Sequence, residues 1–570
     1  MPDKSNKLIW FFKEFKRRKV GQVLIAYSGI SAVIIGIIPI IEEELNLPPI
    51  TSTLILILLI IGLPIAGILT WGYQMKSKED NKTEPEKEDN KKDNSLSEAQ
   101  IPPEKSIVVL PFENISPDPD QEYFSDGLTE EIIADISQIH DLLVISRSSA
   151  MTFKGTKKMV KEIAKEVNVQ YILEGSVRKA GNDLRITAQL INASTDAHIW
   201  AEKYSGTLDA VFDIQEKVSL SITEALKLKL NPVEKLKIIE RPINNFQAYD
   251  CYQKAMHDLS LWNEESIDRA IINLNKGLEL VGDNNLLYTA LGQAYHQYHE
   301  MGVRNPQETF NKVEEYANKI LLNEPKSSSA NLLLGLLERS KGSHMEACKL
   351  LTISMQSDPY NPTTLLWLCW VNTLFMGRPI IGGELFNKLK EIDPLSATTL
   401  IVSGGYYWIN GDFDRASREI QKLLELGPNI FRWCLVWLAN LYLMNDQQEK
   451  AEKVIDKAIK DIPDDMVSKL LIFLKHVLSG NNENAIKYLT IELKEYAWQD
   501  PEIPWFMAQY FSICNEVNLS LDWLERAVER GWINYPLFSE MDPLLENIRN
   551  EERFKKLMVK VKHLWEKFDV

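Results

Sequence analysis

From about Phe246 to the carboxyl terminus, three kinds of residue recur with one fixed period. Prolines stand at Pro325, Pro359, Pro394, Pro428 and Pro463, in steps of 34, 35, 34 and 35. Turn formers stand at Gly342, Gly377, Gly411, Asn445 and Gly480, in steps of 35, 34, 34 and 35. Small residues stand at Ala347, Gly382, Ala416, Ala451 and Ala485, in steps of 35, 34, 35 and 34. Each ladder has a mechanical reason. A small residue lets two antiparallel helices approach, Gly or Asn supplies the turn between them, and proline ends the second helix before the next unit starts. A period of this length predicts stacked helical hairpins, in which each unit covers the apolar face of its neighbour.

The pattern resembles the tetratricopeptide repeat family, most plainly in Gly404-x-x-Tyr407…Ala416…Pro428 and Ala439-x-x-Tyr442…Ala451…Pro463. About eight units are expected over 245–570, beginning near Ala248-Tyr249-x-x-Tyr252. The last stretch, Trp523 through Asp542-Pro543 to Phe554, resembles the terminal cap of such arrays. Asp358-Pro359, Asp393-Pro394 and Gly427-Pro428 supply closing corners. Gly292 to Val313 spans 21 residues where 12 are expected, which predicts an insertion around Met301 to Pro306 in the second unit. The resemblance implies a superhelix whose concave groove holds a protein or peptide, with Gln293, His296, Arg339, Trp408 and Asn440 facing that groove. The competing reading for each of these is plain surface decoration, and the apolar run Leu365 to Phe375 reads as core.

Upstream, residues 105–231 change period. Ile107-Val108-Val109-Leu110 is a continuous apolar strand ended by Pro111. Asp126-Gly127 is expected to open a helix with Asp126 as its cap, carrying Leu128, Ile132, Ile136 and Ile139 on one face. Strands are expected at Leu142–Ile145, Tyr171–Val177, Leu184–Ile191 and His198–Tyr204, with a helix through Val160–Val167 and another over about Thr207–Leu230. The sum is an α/β domain with a mixed sheet. Ser106-Ile-Val-Val-Leu-Pro-Phe, Glu122-Tyr-Phe-Ser-Asp-Gly-Leu-Thr-Glu-Glu, Val144-Ile-Ser-Arg-Ser-Ser-Ala-Met151, Tyr171-Ile-Leu-Glu-Gly-Ser-Val-Arg178 and Arg185-Ile-Thr-Ala-Gln-Leu190 together resemble the TolB amino-terminal-like domain of bacterial signalling and envelope proteins. That resemblance implies a partner-binding scaffold domain without catalysis.

The amino terminus has a different character. Residues 1–19 read as a basic interfacial helix. Within 20–75, Val20–Ile41 and Leu54–Tyr73 lack charge and are long enough to cross a bilayer, so a two-helix transmembrane hairpin is expected. Lys and Arg flank both outer ends, which predicts a multi-pass protein of the bacterial inner membrane with its other domains cytoplasmic. A periplasm-facing binding protein is the alternative. Residues 76–104, rich in Lys, Glu, Asp and Asn, read as a disordered charged linker.

The expected fold class is therefore α+β multidomain: two transmembrane helices, a mixed TolB-N-like domain, then an all-α repeat superhelix. A net charge of −16, from 64 basic and 80 acidic residues, disfavours nucleic acid as a partner. Protein or peptide in the groove and the lipid bilayer are the expected partners. Five widely spaced cysteines form neither a CxxC pair nor a disulfide framework. No phosphate loop, His-Glu-x-x-His or dinucleotide fingerprint occurs. His344 and Cys348, four apart, are too few for a zinc site. No catalytic, cofactor-binding or metal-binding residue is assigned, and no cofactor is expected. The functional expectation is a non-enzymatic scaffold or adaptor in signalling or envelope assembly. Its rival is a hydrolase in 105–231 using Ser125 or Asp126.

Overall fold

The computed structural model describes residues 102–568, apart from 119–120 and 427–431. Its first part is built on a mixed sheet of β1 (Ser106–Val109), β2 (Glu113–Asn114), β3 (Leu143–Val144), β4 (Tyr171–Ala180), β5 (Asp183–Asn192) and β6 (Ala197–Thr207). The order is β3-β1-β4-β5-β6, with β2 also beside β4. The β1 pairings with β3 and β4 are parallel, and β4-β5-β6 form an antiparallel meander. Every residue of β1 is buried, as its unbroken apolar run requires. Helices α1 (Glu122–Ser137), α2 (Arg147–Met151), α3 (Val160–Val167), α4 (Val211–Ala225) and α5 (Pro232–Ile239) complete this module.

Two local expectations change. Asp126 does not cap α1, which starts four residues earlier; its carboxylate lies inside the helix and accepts from Lys154 Nζ with both oxygens at 2.7 Å. The helix expected over Thr207–Leu230 is shorter, because β6 and a 3₁₀ turn occupy its start.

Eight helical hairpins follow: α6 (Phe246–Leu259) with α7 (Glu264–Val281), α8 (Asn285–Met301) with α9 (Pro306–Asn323), α10 (Ser328–Lys341) with α11 (His344–Ser357), and α12 (Pro362–Trp370) with α13 (Pro379–Ile392). Next come α14 (Ala397–Ile409) with α15 (Phe413–Leu426), α16 (Trp433–Met444) with α17 (Gln448–Asp461), α18 (Met466–Leu478) with α19 (Asn482–Tyr488) and α20 (Ile491–Gln499), and α21 (Ile503–Ile513) with α22 (Val517–Glu529). The cap ends in α23 (Glu552–Lys567). The turn inside each hairpin carries one left-handed residue: Trp262, Gly302, Gly342, Gly377, Gly411, Asp446, Gly480 and Asn515. The fourth position of the turn ladder thus belongs to Asp446 (φ 56°) rather than Asn445, whose φ is −96°. The extra length near the second unit lies mainly in the helices, with α7, α8 and α9 at 18, 17 and 18 residues against 14 in α10 and α11. Leu365, Leu366 and Leu368–Phe375 are buried; α12 passes into a π turn at Val371–Phe375. The corner Gly427-Pro428 lies outside the described residues.

The module and the array share one core, because buried residues from Ile107 to Leu337 form a single apolar cluster. At their seam, Gly127 leaves no room for a side chain: a Cβ there would fall 1.7 Å from Gln253 Oε1 on α6. Tyr123 Oη donates to Asp250 Oδ1 at 2.6 Å across the same seam. Further along, the array returns to the module at its fourth corner, where Ser146 N donates to the Ile392 carbonyl at 2.7 Å. The cap folds back in the same way. Arg530 Nη1 donates to the Lys341 carbonyl at 2.8 Å, Ile533 N to the Phe375 carbonyl at 3.0 Å and Asn534 Nδ2 to the Leu374 carbonyl at 2.8 Å.

The expected fold class needs correction in its first element. No helix among the described residues is long and apolar enough to cross a membrane. The basic helix, the hairpin of 20–75 and most of the linker fall outside the described residues. The fold is a mostly helical chain with one small mixed sheet and a repeat superhelix. Neither two transmembrane helices nor a multi-pass inner-membrane location is carried forward, and the expected bilayer contact went with them.

Candidate functional site: a charged, aromatic cluster inside the array

Four elements bring their side chains together on the inner side of the array. Helix α8 starts where Asn284 Oδ1 accepts from the amides of Leu286 and Leu287, and its last turns present His296 and Glu300. Helix α10 carries Arg339 in its last turn, just before the left-handed Gly342. Helix α12, opened by the Asn361 cap and Pro362, supplies Trp367 and Trp370. Asp500 Oδ1 accepts from the amides of Glu502 (2.7 Å) and Ile503 (2.8 Å) and so anchors the start of α21, with Glu502 beside it.

The Arg339 guanidinium donates to Glu300 and lies 4.1 Å from the centre of the Trp367 ring. The same Glu300 oxygen is 3.6 Å from His296 Nε2. Trp370 Nε1 donates to Glu502 Oε1 at 3.4 Å, while its ring stacks on Trp437 at 4.9 Å. Burial pushes the His296 pKa down to about 4, so the ring is neutral at physiological pH. Burial is the largest influence and would raise Glu300, but Arg339, His296, His299 and the Ser340 hydrogen bond together hold the carboxyl below its ordinary value. Glu502 is pushed up to about 7, mainly by burial and then by the neighbouring Asp500 charge, with Arg339 opposing. Asp500 is likewise raised by burial. Arg339 is therefore committed to Glu300, and Asp500 with Glu502 stay under-neutralised.

Of the residues expected to face the groove, His296 and Arg339 meet here on Glu300. Gln293 is half-buried on α8, one turn before His296. Trp408 and Asn440 sit elsewhere in the interior, covered by the chain itself. The Trp408 ring is 5.3 Å from Trp505 and its Nε1 donates to Met444 Sδ, while Asn440 Nδ2 donates to Tyr510 Oη at 2.8 Å. Helix α21 thus fills the face that α14 and α16 turn inward. Asp500 and Glu502 were missed, although Pro501, close to the next step of the proline ladder, lies between them; Trp367 falls in the run Leu365 to Phe375, which reads as core.

The residues proposed for hydrolysis do not assemble. Ser125 is fully buried and Asp126 is paired with Lys154. His344 is buried against Phe375, ring centres 3.7 Å apart, and no metal-ligating cluster of three exists among the described residues. A separate cavity lies at the seam, lined by Glu131, Asp135, Phe212, Gln215, Arg241 and Tyr249 among others. Burial, with Asp135 and Glu130 adding, lifts Glu131 to about 8. Burial lifts Asp135 to about 7, against the hydrogen bond from Ser219.

Residues 103–220 match the family model for the HilA/YgeH-like transcriptional regulator, second domain, over the module whose motifs resemble TolB. "Putative adenylate cyclase 3" of Rhizobium meliloti is 40% identical over 181 residues, 32% of this chain and 31% of that protein. The transcriptional regulator HilA of Salmonella typhimurium is 19% identical over 335 residues, 58% of this chain and 52% of that protein. The chain thus spans about a third and about half of the lengths of these relatives. Among solved structures, a tetratricopeptide repeat protein from Parabacteroides merdae aligns at 14% identity with a TM-score of 0.31, covering 50% of this chain and all of that one. YrrB, a TPR protein with an unusual peptide-binding site, aligns at 16% identity and 0.25, covering 34% and 95%. Human IFIT1 with m7Gppp-AAAA aligns at 14% and 0.34, covering 56% and 77%.

Proposed function

We propose that this chain is a non-catalytic protein-interaction scaffold in bacterial signalling, whose repeat array (245–570) receives a partner at the inner cluster of α8, α10, α12 and the start of α21. One observation carries it: charged and aromatic side chains, Glu300, Trp367, Asp500 and Glu502 among them, are held by four separate elements on an interior that stays partly open to solvent. A packing core has no use for carboxylates it leaves under-neutralised. Presenting such groups on a rigid helical framework is how repeat arrays recognise other proteins. The match of 103–220 to a domain of transcriptional regulators supports a regulatory setting, with the α/β module (105–231) as an accessory domain rather than an effector. The segment shared with the cyclase-named relative is a third of each chain, which suits an accessory part common to proteins of different output. The scaffold then works by raising the effective concentration of what it holds. Nucleic acid is not the partner, since inward carboxylates repel phosphate.

The test is chemical cross-linking of the full chain in cells with mass spectrometry of the linked peptides. Inter-protein links from Lys341, at the end of α10, and from Lys312, on the helix paired with α8, are expected. Links confined to lysines of the α/β module would contradict the assignment.

A further inference from the structure

We infer that the inner cluster recognises a cationic side chain, arginine or lysine, on an extended segment of a partner protein. The inference rests on the scaffold reading above and specifies the chemistry of that same site.

Charge complementarity carries it. Asp500 and Glu502 stand side by side at the start of α21, and each nearby cation is already committed. Arg339 is bound to Glu300 and stacked on Trp367. Arg530 is held over the carbonyls that end α10, 2.8 Å from that of Lys341. Neither carboxylate therefore has an ion-pair partner among the described residues, and half-buried aromatic surface from Trp367 and Tyr496 lies alongside. A carboxylate next to an indole face is the arrangement that selects a guanidinium or an ammonium group, which gains a charge-assisted hydrogen bond and a cation–π contact together.

A second observation is independent of Asp500 and Glu502. His296 and Arg339 are 9% and 6% exposed, yet His296 Nε2 and Arg339 Nε make no hydrogen bond within the chain. Buried polar atoms of this kind usually have partners. Both stand at the Glu300 carboxylate, where the backbone of an extended segment would meet them while its side chain reached Glu502. The under-neutralised state of Glu502 fits as well, since a bound cation would return its pKa toward the ordinary carboxyl range.

The test uses the full chain and three fluorescent octapeptides that alternate serine with arginine, with citrulline (neutral, of the same shape) or with glutamate. Anisotropy titrations should show the arginine peptide binding at least about tenfold tighter than the citrulline peptide. Glu502→Gln should remove most of that difference while leaving far-UV circular dichroism unchanged. Trp367→Leu should weaken the arginine peptide by several fold. Saturable binding of citrulline and arginine peptides with equal affinity would overturn the cation inference and leave the scaffold reading standing. Tighter binding of the glutamate peptide, binding indifferent to Glu502→Gln, or no binding of any peptide would overturn it too. The scaffold reading falls separately, if partner cross-links in cells avoid the array.

Discussion

Ser149 Oγ donates a 2.7 Å hydrogen bond to Asp393 Oδ1, joining residues 244 positions apart. Asp393 closes the fourth repeat and is 1% exposed; Ser149 lies in the first turns of α2, in the α/β module. Ser146, the cap of α2, donates to the same oxygen, and Leu395 N donates to Ser149 Oγ at 2.9 Å. The corner of a repeat is thereby latched to a helix start in another part of the fold, where a carboxylate is favoured by the helix dipole. Asp393→Ala should cost about 3 kcal/mol and Ser149→Ala about 1.5 kcal/mol, since hydrogen bonds to a buried charge are lost. Hydrogen exchange should rise together at 146–151 and 395–400. A rise at one segment alone would mean that the latch does not couple them.

The seam at Gly127 makes a second prediction. Gly127→Ala should destabilise the chain by about 1–3 kcal/mol, because the buried Gln253 amide must shift to admit the methyl group. Adding Gln253→Ala should recover part of that loss, so that the double variant is more stable than the sum of the two single changes. Strict additivity in denaturant titrations would place the strain elsewhere.

Turn geometry gives a third. Asp446, and not Asn445, holds the left-handed position of the sixth hairpin. Asp446→Gly should exceed Asp446→Ala in stability by about 1 kcal/mol, while the same pair of changes at Asn445 should show no such preference for glycine. Thermal melts of the four variants decide it.

A fourth concerns pH. Asp135 and Glu131 at the seam cavity hold their protons to about 7 and about 8, whereas the unfolded chain releases them near an ordinary carboxyl value of about 4. Between those limits the folded state binds more protons than the unfolded state, so their contribution to stability is full below about pH 4 and is lost as pH rises toward 8. Asp135→Asn should flatten the decline in melting temperature between pH 5 and 8. An unchanged slope would show that Asp135 ionises normally in the fold.

The repeat array was legible in the sequence because its reasons are local. Turn, small contact and helix stop recur along the chain, and each depends on residues within one unit. Even the misplaced step, Asn445 for Asp446, is an error of one position between two residues that both tolerate turns. The alternation in Leu184–Ile191 likewise marked β5, since one sheet face is buried and the other is not. The site was legible only in part. His296 and Arg339 follow from their place on the first helices of their repeats, but their companions Asp500 and Glu502 come from over 160 residues further on. How tightly the superhelix curls decides that meeting, and curl accumulates from small rotations that no single repeat encodes. The same curl explains Trp408 and Asn440: they sit at the expected helix positions, yet α21 closes over them. Asp126 illustrates the opposite failure, where a plausible cap motif lies inside a helix that starts at Glu122 and the carboxylate pairs with Lys154.

The most direct measurement places a photoreactive phenylalanine at Trp367, within the cluster, and for comparison at Leu322, which is 84% exposed on α9. After irradiation in cells, position 367 should yield one discrete protein adduct that disappears when Glu502→Gln is added, and position 322 should not yield it. The same adduct from both positions, or none from 367, would contradict a partner site inside the array.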